Sequence, residues 1–140
     1  MGIRVRVRIV VGERSLETSA LLNSGFESDE PDVCIPVALA RRLGLWPPQE
    51  VRGEDAFTAG GEVTLYVLSA QARIQLLAGG EVKSEAACVL VVNPYVDEVL
   101  LSDYVMDELG VVALSFRRGL WRHASDPPST VRESEKPEYW

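Results

Sequence analysis

The stretch Ala20-Leu21-Leu22-Asn23-Ser24-Gly25 is the segment from which the fold of this chain is best argued. Three apolar residues are followed at once by two small polar residues and a glycine. Short apolar runs are typical of buried strands, and glycine tolerates the backbone angles that tight turns require. The segment therefore predicts a strand over residues 15 to 22 that ends in a turn presenting the side chain of Asn23.

A second strand is predicted immediately before this one, because apolar and charged residues alternate from residue 3 to residue 11. This period of two is that of a strand with one buried face. The opposite face would carry Arg4, Arg6 and Arg8 toward solvent. Gly12 marks the hairpin turn that would join the two strands.

The rest of the chain is predicted to be mostly strand with two short helices. One helix is expected over 36 to 43, because proline suits a first helical turn and Gly44 suits the C-terminal cap. The other is expected from Asp103 to Leu109, with Gly110 ending it and Ser102 or Asp103 capping its start. Strand signals lie at 33 to 35, across 51 to 92, and at 99 to 101, 111 to 114 and 120 to 122.

Composition indicates one folded domain at residues 1 to 123 and a polar C-terminal tail at residues 124 to 140. The 140 residues and the 46% hydrophobic content suffice for a core without metal or disulfide support. From Ala124 onward proline, serine and charged residues dominate, which is typical of a disordered tail.

The charge balance disfavours nucleic acid and anionic membranes as partners, because a net charge of −7 repels phosphate groups. The chain shows no leader-like start and no apolar run of bilayer-spanning length. We therefore expect a soluble, cytoplasmic protein.

The sequence offers little for metal or cofactor chemistry. Cys34 and Cys88 each lie among apolar residues, so reduced cysteines in the core are expected. His123 is the only histidine, which excludes a multi-histidine metal site. We expect neither a metal ion nor a cofactor.

The strand that ends in Asn23-Ser24-Gly25 resembles the Asp-Thr/Ser-Gly signature of retropepsin-like (retroviral-type) aspartic proteases. Two further features follow in the family's order. The segment Thr58-Ala59-Gly60-Gly61-Glu62 stands where the family has its flap hairpin. The block from Val99 to Val111 resembles the family's second hydrophobic strand and closing helix. The similarity spans roughly residues 16 to 116.

The resemblance implies a mostly β fold, the acid-protease β barrel with two short helices and one lobe per chain. It also implies a homodimer that binds a peptide or an unfolded protein beneath two flaps. The catalytic turn would be formed by Asn23, Ser24 and Gly25. The substrate-binding residues would be Phe26, Glu27, Thr58, Ala59 and Gly60.

This chain departs from the family at the residue on which the chemistry depends. The family hydrolyses peptides with two carboxylates that share one proton, one from each chain. Asn23 stands in place of that aspartate, and its amide has no useful basicity. The Asn23 form is therefore expected to be inactive as an endopeptidase. Ser102 also replaces a usual glycine, and the Arg-Asp/Asn pair that normally follows is missing.

Two explanations of Asn23 stay open at the level of sequence. Either the asparagine replaces the aspartate of an active endopeptidase, or the chain is a non-catalytic relative that serves as a dimerisation or peptide-binding module. An unrelated small β barrel is a third possibility. Asp103, the acid nearest the second strand, is expected to cap or face the helix start and not to replace the missing carboxylate.

Overall fold

The predicted pair of strands before Asn23 is a hairpin that forms two adjacent strands in the wall of a β barrel. In the computed structural model, which describes residues 2–48, 51–58 and 61–140, the register runs from Arg4 opposite Leu21 to Val11 opposite Arg14. The strands are β1 (Arg4–Val11), β2 (Arg14–Leu22), β3 (Asp32–Ile35), β4 (Val51–Thr58), β5 (Gly61–Leu68), β6 (Ala72–Ala78), β7 (Glu81–Val92), β8 (Val99–Leu101), β9 (Val111–Ser115), β10 (Leu120–His123) and β11 (Arg132–Glu133). The helices are α1 (Val37–Arg42) and α2 (Asp103–Glu108).

Six strands close the barrel in the order β3, β8, β2, β1, β6 and β7, with β7 returning to β3. The pairs β2–β8 and β3–β7 are parallel, and the other neighbours are antiparallel. The hairpin β4–β5 extends the sheet beyond β7, and β9, β10 and β11 form a second sheet. The expectation of a mostly β barrel with two short helices is therefore confirmed.

The alternation in β1 has the physical basis that the sequence indicated. Val5, Val7 and Ile9 are fully buried in the barrel interior. Neighbouring strands add Leu76, Leu90 and Leu101, which are buried to the same degree. A closed barrel places every second residue inside, so the period of two in the sequence fills one continuous core.

The helices begin and end close to the predicted residues. Pro36 is extended and precedes α1, and Gly44 follows the helix with a φ of +75°. The Ser102 hydroxyl accepts the N–H of Val105 at 3.3 Å and so caps α2. Gly110 follows α2 with a φ of +74°, a backbone conformation that glycine adopts without steric cost.

The C-terminal tail, whose composition is typical of a disordered segment, is hydrogen-bonded to the chain's own strands. Asp126 accepts two hydrogen bonds from the guanidinium of Arg132, at 2.7 and 3.0 Å, and one from the N–H of His123 at 2.9 Å. The short strand β11 then pairs with β10. Composition does not predict this ordered conformation, because the tail is held by ion pairs that depend on tertiary contacts.

The stability of this part of the fold is expected to depend on pH through Asp126. Hydrogen bonds from Arg132 and from the N–H of His123 hold the pKa of this carboxyl well below its ordinary value. A lowered pKa in the folded state stabilises the protein above the unfolded-state value of about 3.9, and this contribution is lost as the pH falls below it toward the folded-state pKa.

Urea unfolding at pH 6 and at pH 3 tests this expectation. Asp126→Asn should narrow the difference in unfolding free energy between the two pH values, because the variant has no carboxylate to protonate at this position. Glu133→Gln, which alters an exposed acid in β11, serves as the control and should leave the difference unchanged. An Asp126→Asn variant with the full pH dependence would contradict the assignment.

Candidate functional site

Asn23 occupies the first position of a tight turn at the end of β2. Its N–H donates to the carbonyl of Leu101 at 3.3 Å, and its own carbonyl accepts the N–H of Phe26 at 2.9 Å. The side-chain Oδ1 accepts the N–H of Gly25 at 3.2 Å. The turn is therefore closed by backbone and side chain together, and the position of the Asn23 amide is fixed by its own loop.

The parallel pairing of β2 with β8 determines where this turn lies. Leu22 is in register with Leu101, so both strands end at the same edge of the barrel. Ser102 then caps the start of α2, and its N–H donates to the carbonyl of Asp32 at the start of β3. The Asn23 turn, the N-terminus of α2 and the start of β3 thus meet at one edge.

Asp103 holds the loop after Asn23 against α2. Its Oδ1 accepts the N–H of Ser28 at 3.0 Å and the N–H of Tyr104 at 2.8 Å. Its backbone N–H donates to the carbonyl of Phe26 at 3.0 Å. This carboxylate is used in binding backbone amides at a helix start, in agreement with the role expected from its place in the sequence.

Ser28 and Asp32 add a contact that sequence reasoning did not single out. The Ser28 hydroxyl donates to Asp32 Oδ2 at 2.6 Å, across the acidic loop between β2 and β3. The signal available in the sequence was a serine four residues before an aspartate at a strand start. That spacing is common in loops, and only the fold shows that the contact joins the loop after the Asn23 turn to the start of β3.

The loop after β2 contains the predicted site residues from Asn23 to Glu27. Asn23 and Phe26 are half-buried, whereas Ser24, Gly25 and Glu27 are exposed, all within one loop. The backbone of Thr58 ends β4, opposite Gly61 in β5. Ala59 and Gly60 lie outside the described residues, as does the side chain of Thr58.

The hairpin predicted around residues 58 to 62 is present as the antiparallel pair β4–β5. β5 pairs with β7 through Tyr66 opposite Val92 and Val67 opposite Val91. Because Tyr66 is opposite Val92, the last residue of β7, the segment of β5 before Tyr66 extends past the end of that strand. At the base of the hairpin, the rings of Trp46 and Tyr66 meet edge to face at 5.4 Å between centroids.

The two cysteines do not supply a nucleophile. Both are buried and unpaired, as expected. Burial raises the pKa of the Cys34 thiol to about 12, although a hydrogen bond with Asn93 opposes the shift. Burial likewise raises the pKa of the Cys88 thiol to about 12. Thiolates are the reactive form, so neither side chain is activated at neutral pH.

His123 has a structural role. Its ring is buried, with Nε2 2.9 Å from the carbonyl of Leu109 and Nδ1 2.8 Å from the hydroxyl of Ser125. A carbonyl only accepts, so Nε2 carries the proton in this contact. The ring also lies against Gly110, where an added Cβ would come within 2.8 Å of Nε2. His123 thus ties β10 to the end of α2.

Comparison of the chain with models of known protein families gives no match, and comparison with curated proteins gives none either. In the part of the chain that the structure describes, no helix has the length and apolar character needed to span a membrane. Within the same residues, no group of three or more histidine, cysteine, aspartate or glutamate side chains is placed to hold a metal ion.

Proposed function

We propose that the chain is a retropepsin-like domain that works as a homodimer and binds an extended peptide or unfolded segment between its two copies. The activity of this scaffold is endoproteolysis by the aspartic protease mechanism, in which residue 23 of each chain supplies half of the catalytic pair. With asparagine at that position, the chain holds peptide without cutting it.

The observation that carries the proposal is the fixed turn at Asn23. It follows a buried strand, lies beside the end of a parallel strand, and is followed by a helix that starts at Asp103. Retropepsin-like proteases are expected to present their catalytic residue on such a turn. The half-buried Phe26 would line the adjoining wall of the cleft, and the hairpin β4–β5 would cover the peptide.

The Asn23 amide lacks the basic function that peptide hydrolysis requires. Peptide hydrolysis requires a base to take a proton from water and an acid to polarise the carbonyl. The Asn23 amide can donate a hydrogen bond to a peptide carbonyl, but it cannot accept a proton from water. Two facing amides would therefore orient a peptide and leave it intact.

A second candidate function is a purely non-catalytic peptide-binding or dimerisation module. The observation in its favour is that the nearest acid of the helix start, Asp103, already binds backbone amides of Ser28 and Tyr104. It is therefore not placed as a substitute base. Restoring the carboxylate at residue 23 separates this module from an endopeptidase scaffold, because only the scaffold would then cleave a peptide.

The stability of the dimer tests whether residue 23 of one chain faces residue 23 of the other. If two copies of this residue face each other, aspartates at that position repel when both are ionised. The Asn23 dimer should therefore be at least as stable near neutral pH as the dimer of Asn23→Asp. Sedimentation equilibrium of both proteins measures the two dissociation constants.

Glu27→Gln is the matched control for this comparison, because it changes the charge of the same loop at an exposed side chain. A general effect of net charge would weaken the dimer of Asn23→Asp and strengthen that of Glu27→Gln, whereas facing carboxylates would change the stability of the Asn23→Asp dimer alone. A chain that sediments as a monomer, or an Asn23 dimer clearly weaker than that of Asn23→Asp, would contradict the proposed arrangement.

A further inference from the structure

The C-terminal tail of the chain binds to the outer side of the hairpin β1–β2. β6 pairs with β1 only from Arg6 to Val10, which leaves the edge of β1 at Arg4 without a strand neighbour on that side. The tail supplies the missing partners. The N–H of Arg4 donates to the Ser134 hydroxyl at 2.8 Å, and its carbonyl accepts the N–H of Glu135 at 2.8 Å.

The same arrangement recurs on β2. β8 pairs with β2 only from Ala20 to Leu22, so the backbone of Ser19 lies just beyond it. The N–H of Ser19 donates to Glu138 Oε2 at 2.6 Å, and the Ser19 hydroxyl accepts the N–H of Glu138 at 2.9 Å. The tail therefore satisfies backbone groups that the barrel leaves open on two neighbouring strands.

Two side chains anchor the tail. Both oxygens of Glu138 lie 3.0 Å from Nη1 of Arg6. Two residues later, the Trp140 indole N–H donates to the Thr18 hydroxyl at 3.0 Å, and its backbone N–H donates to the carbonyl of Asp97 at 2.7 Å. The Trp140 ring also packs against the core and lies under the Arg42 guanidinium at 5.8 Å.

Specific contacts surround the glutamate and the tryptophan but not the residue between them. Tyr139 is 63% exposed. Glu138, by contrast, has a lowered pKa, because the hydrogen bonds from Arg6 and Ser19 together outweigh the desolvation that raises it. The surface of β1 and β2 under the tail therefore holds a glutamate and a tryptophan that are separated by one exposed residue.

We propose that the face formed by Arg4, Arg6, Thr18, Ser19 and Asp97, here called the docking face, is a peptide-binding site for a Glu-x-Trp segment. The partner that it takes is the tail of a second copy of the chain. A tail that leaves its own docking face makes the same contacts on a second molecule, so exchange between two chains loses no hydrogen bond. None of these five residues belongs to the Asn23 turn, and the site does not depend on the function proposed for that turn.

The test uses the full chain in a form whose tail is impaired and whose docking face is intact. In the double variant Glu138→Ala with Trp140→Ala, both anchors are removed and Arg6, Thr18 and Ser19 remain. The probe is a fluorescent peptide of residues 132 to 140 with an amidated end. We expect this peptide to bind the double variant and to bind the unaltered chain at least tenfold more weakly, because the unaltered chain's own tail occupies the face.

Two controls separate recognition from non-specific adhesion. Adding Arg6→Ala to the double variant should weaken peptide binding about tenfold, since it removes a charge-assisted pair. Tyr139→Ala keeps both anchors, so this chain should exclude the peptide as the unaltered chain does. Fluorescence anisotropy gives each dissociation constant.

Three results would overturn the proposal: no binding to a folded double variant, equal binding after Arg6→Ala, or equal binding to the unaltered chain. Circular dichroism establishes whether the double variant is folded. If it is not, the same titration on Glu138→Gln decides, because this variant retains Trp140 and loses only the carboxylate. Binding to Glu138→Gln no tighter than to the unaltered chain would then count against the docking face.

Discussion

Asn23→Asp is expected to convert the chain into a peptidase, with a gain in rate of about 10² to 10⁴ from the restored proton transfer alone. The change replaces an amide nitrogen with an oxygen and leaves the size of the side chain almost unaltered. One carboxylate oxygen can keep the hydrogen bond to the N–H of Gly25, which Oδ1 of Asn23 already accepts at 3.2 Å. The other oxygen is then available for water and substrate.

The pH dependence of the restored activity identifies its source. Two carboxylates that share one proton titrate as a coupled pair, so cleavage should rise and then fall across the acidic range. A single activated carboxylate would give one transition only. Cleavage of an unfolded protein, followed by mass spectrometry of the fragments from pH 3 to pH 8, measures this profile.

Asn93→Asp is the matched control, because it introduces a carboxylate by the same chemical change in a different loop. It should produce no cleavage. Mass spectrometry of the Asn23 protein must also show that residue 23 has not deamidated, since a trace of aspartate would give false activity. A folded, dimeric Asn23→Asp protein that cuts nothing would leave the peptide-binding module as the function of this chain.

Leu101→Ala is expected to cause the largest loss of stability among single changes near the site, about 2 to 5 kcal/mol. Leu101 is fully buried and lies in the three-residue strand β8, opposite Leu22 of β2 and Val33 of β3. Its removal leaves a cavity where a parallel and an antiparallel pairing meet. Since a domain of this size is stable by about 5 to 15 kcal/mol, the loss is a large fraction of the total.

Urea unfolding, followed by tryptophan fluorescence, measures this loss as a shift of the midpoint at constant slope. Leu114→Ala removes the same atoms from a side chain that is 44% exposed and should change the unfolding free energy by no more than about 0.5 kcal/mol. Equal effects of the two changes would mean that β8 is not held in the core as described.

Local sequence patterns predicted most of the individual elements. The alternation of residues 3 to 11 predicted β1, and the glycines at 44 and 110 marked the ends of both helices. These predictions succeed because strand period, helix capping and left-handed backbone angles are properties of a few neighbouring residues. The same reasoning placed Asn23 at the end of β2 and assigned Asp103 to the start of α2.

Non-local contacts account for what the sequence left undetermined. The closure of β7 onto β3 and the docking of the tail on Arg6 both join residues whose local sequence contains no sign of the partner. The tail shows this most clearly. Its composition is that of a disordered segment, yet it is ordered by groups more than a hundred residues away.

For this chain, the sequence by itself indicated most of the strands of the barrel, the turns that end β1 and β2, and the presence of an amide at residue 23 directly after β2. Only the tertiary structure decided that β2 and β8 end side by side and that the open edges of β1 and β2 are filled by the tail. The physical reason is that backbone hydrogen bonds left open at the end of one strand pairing must find partners wherever the fold brings them.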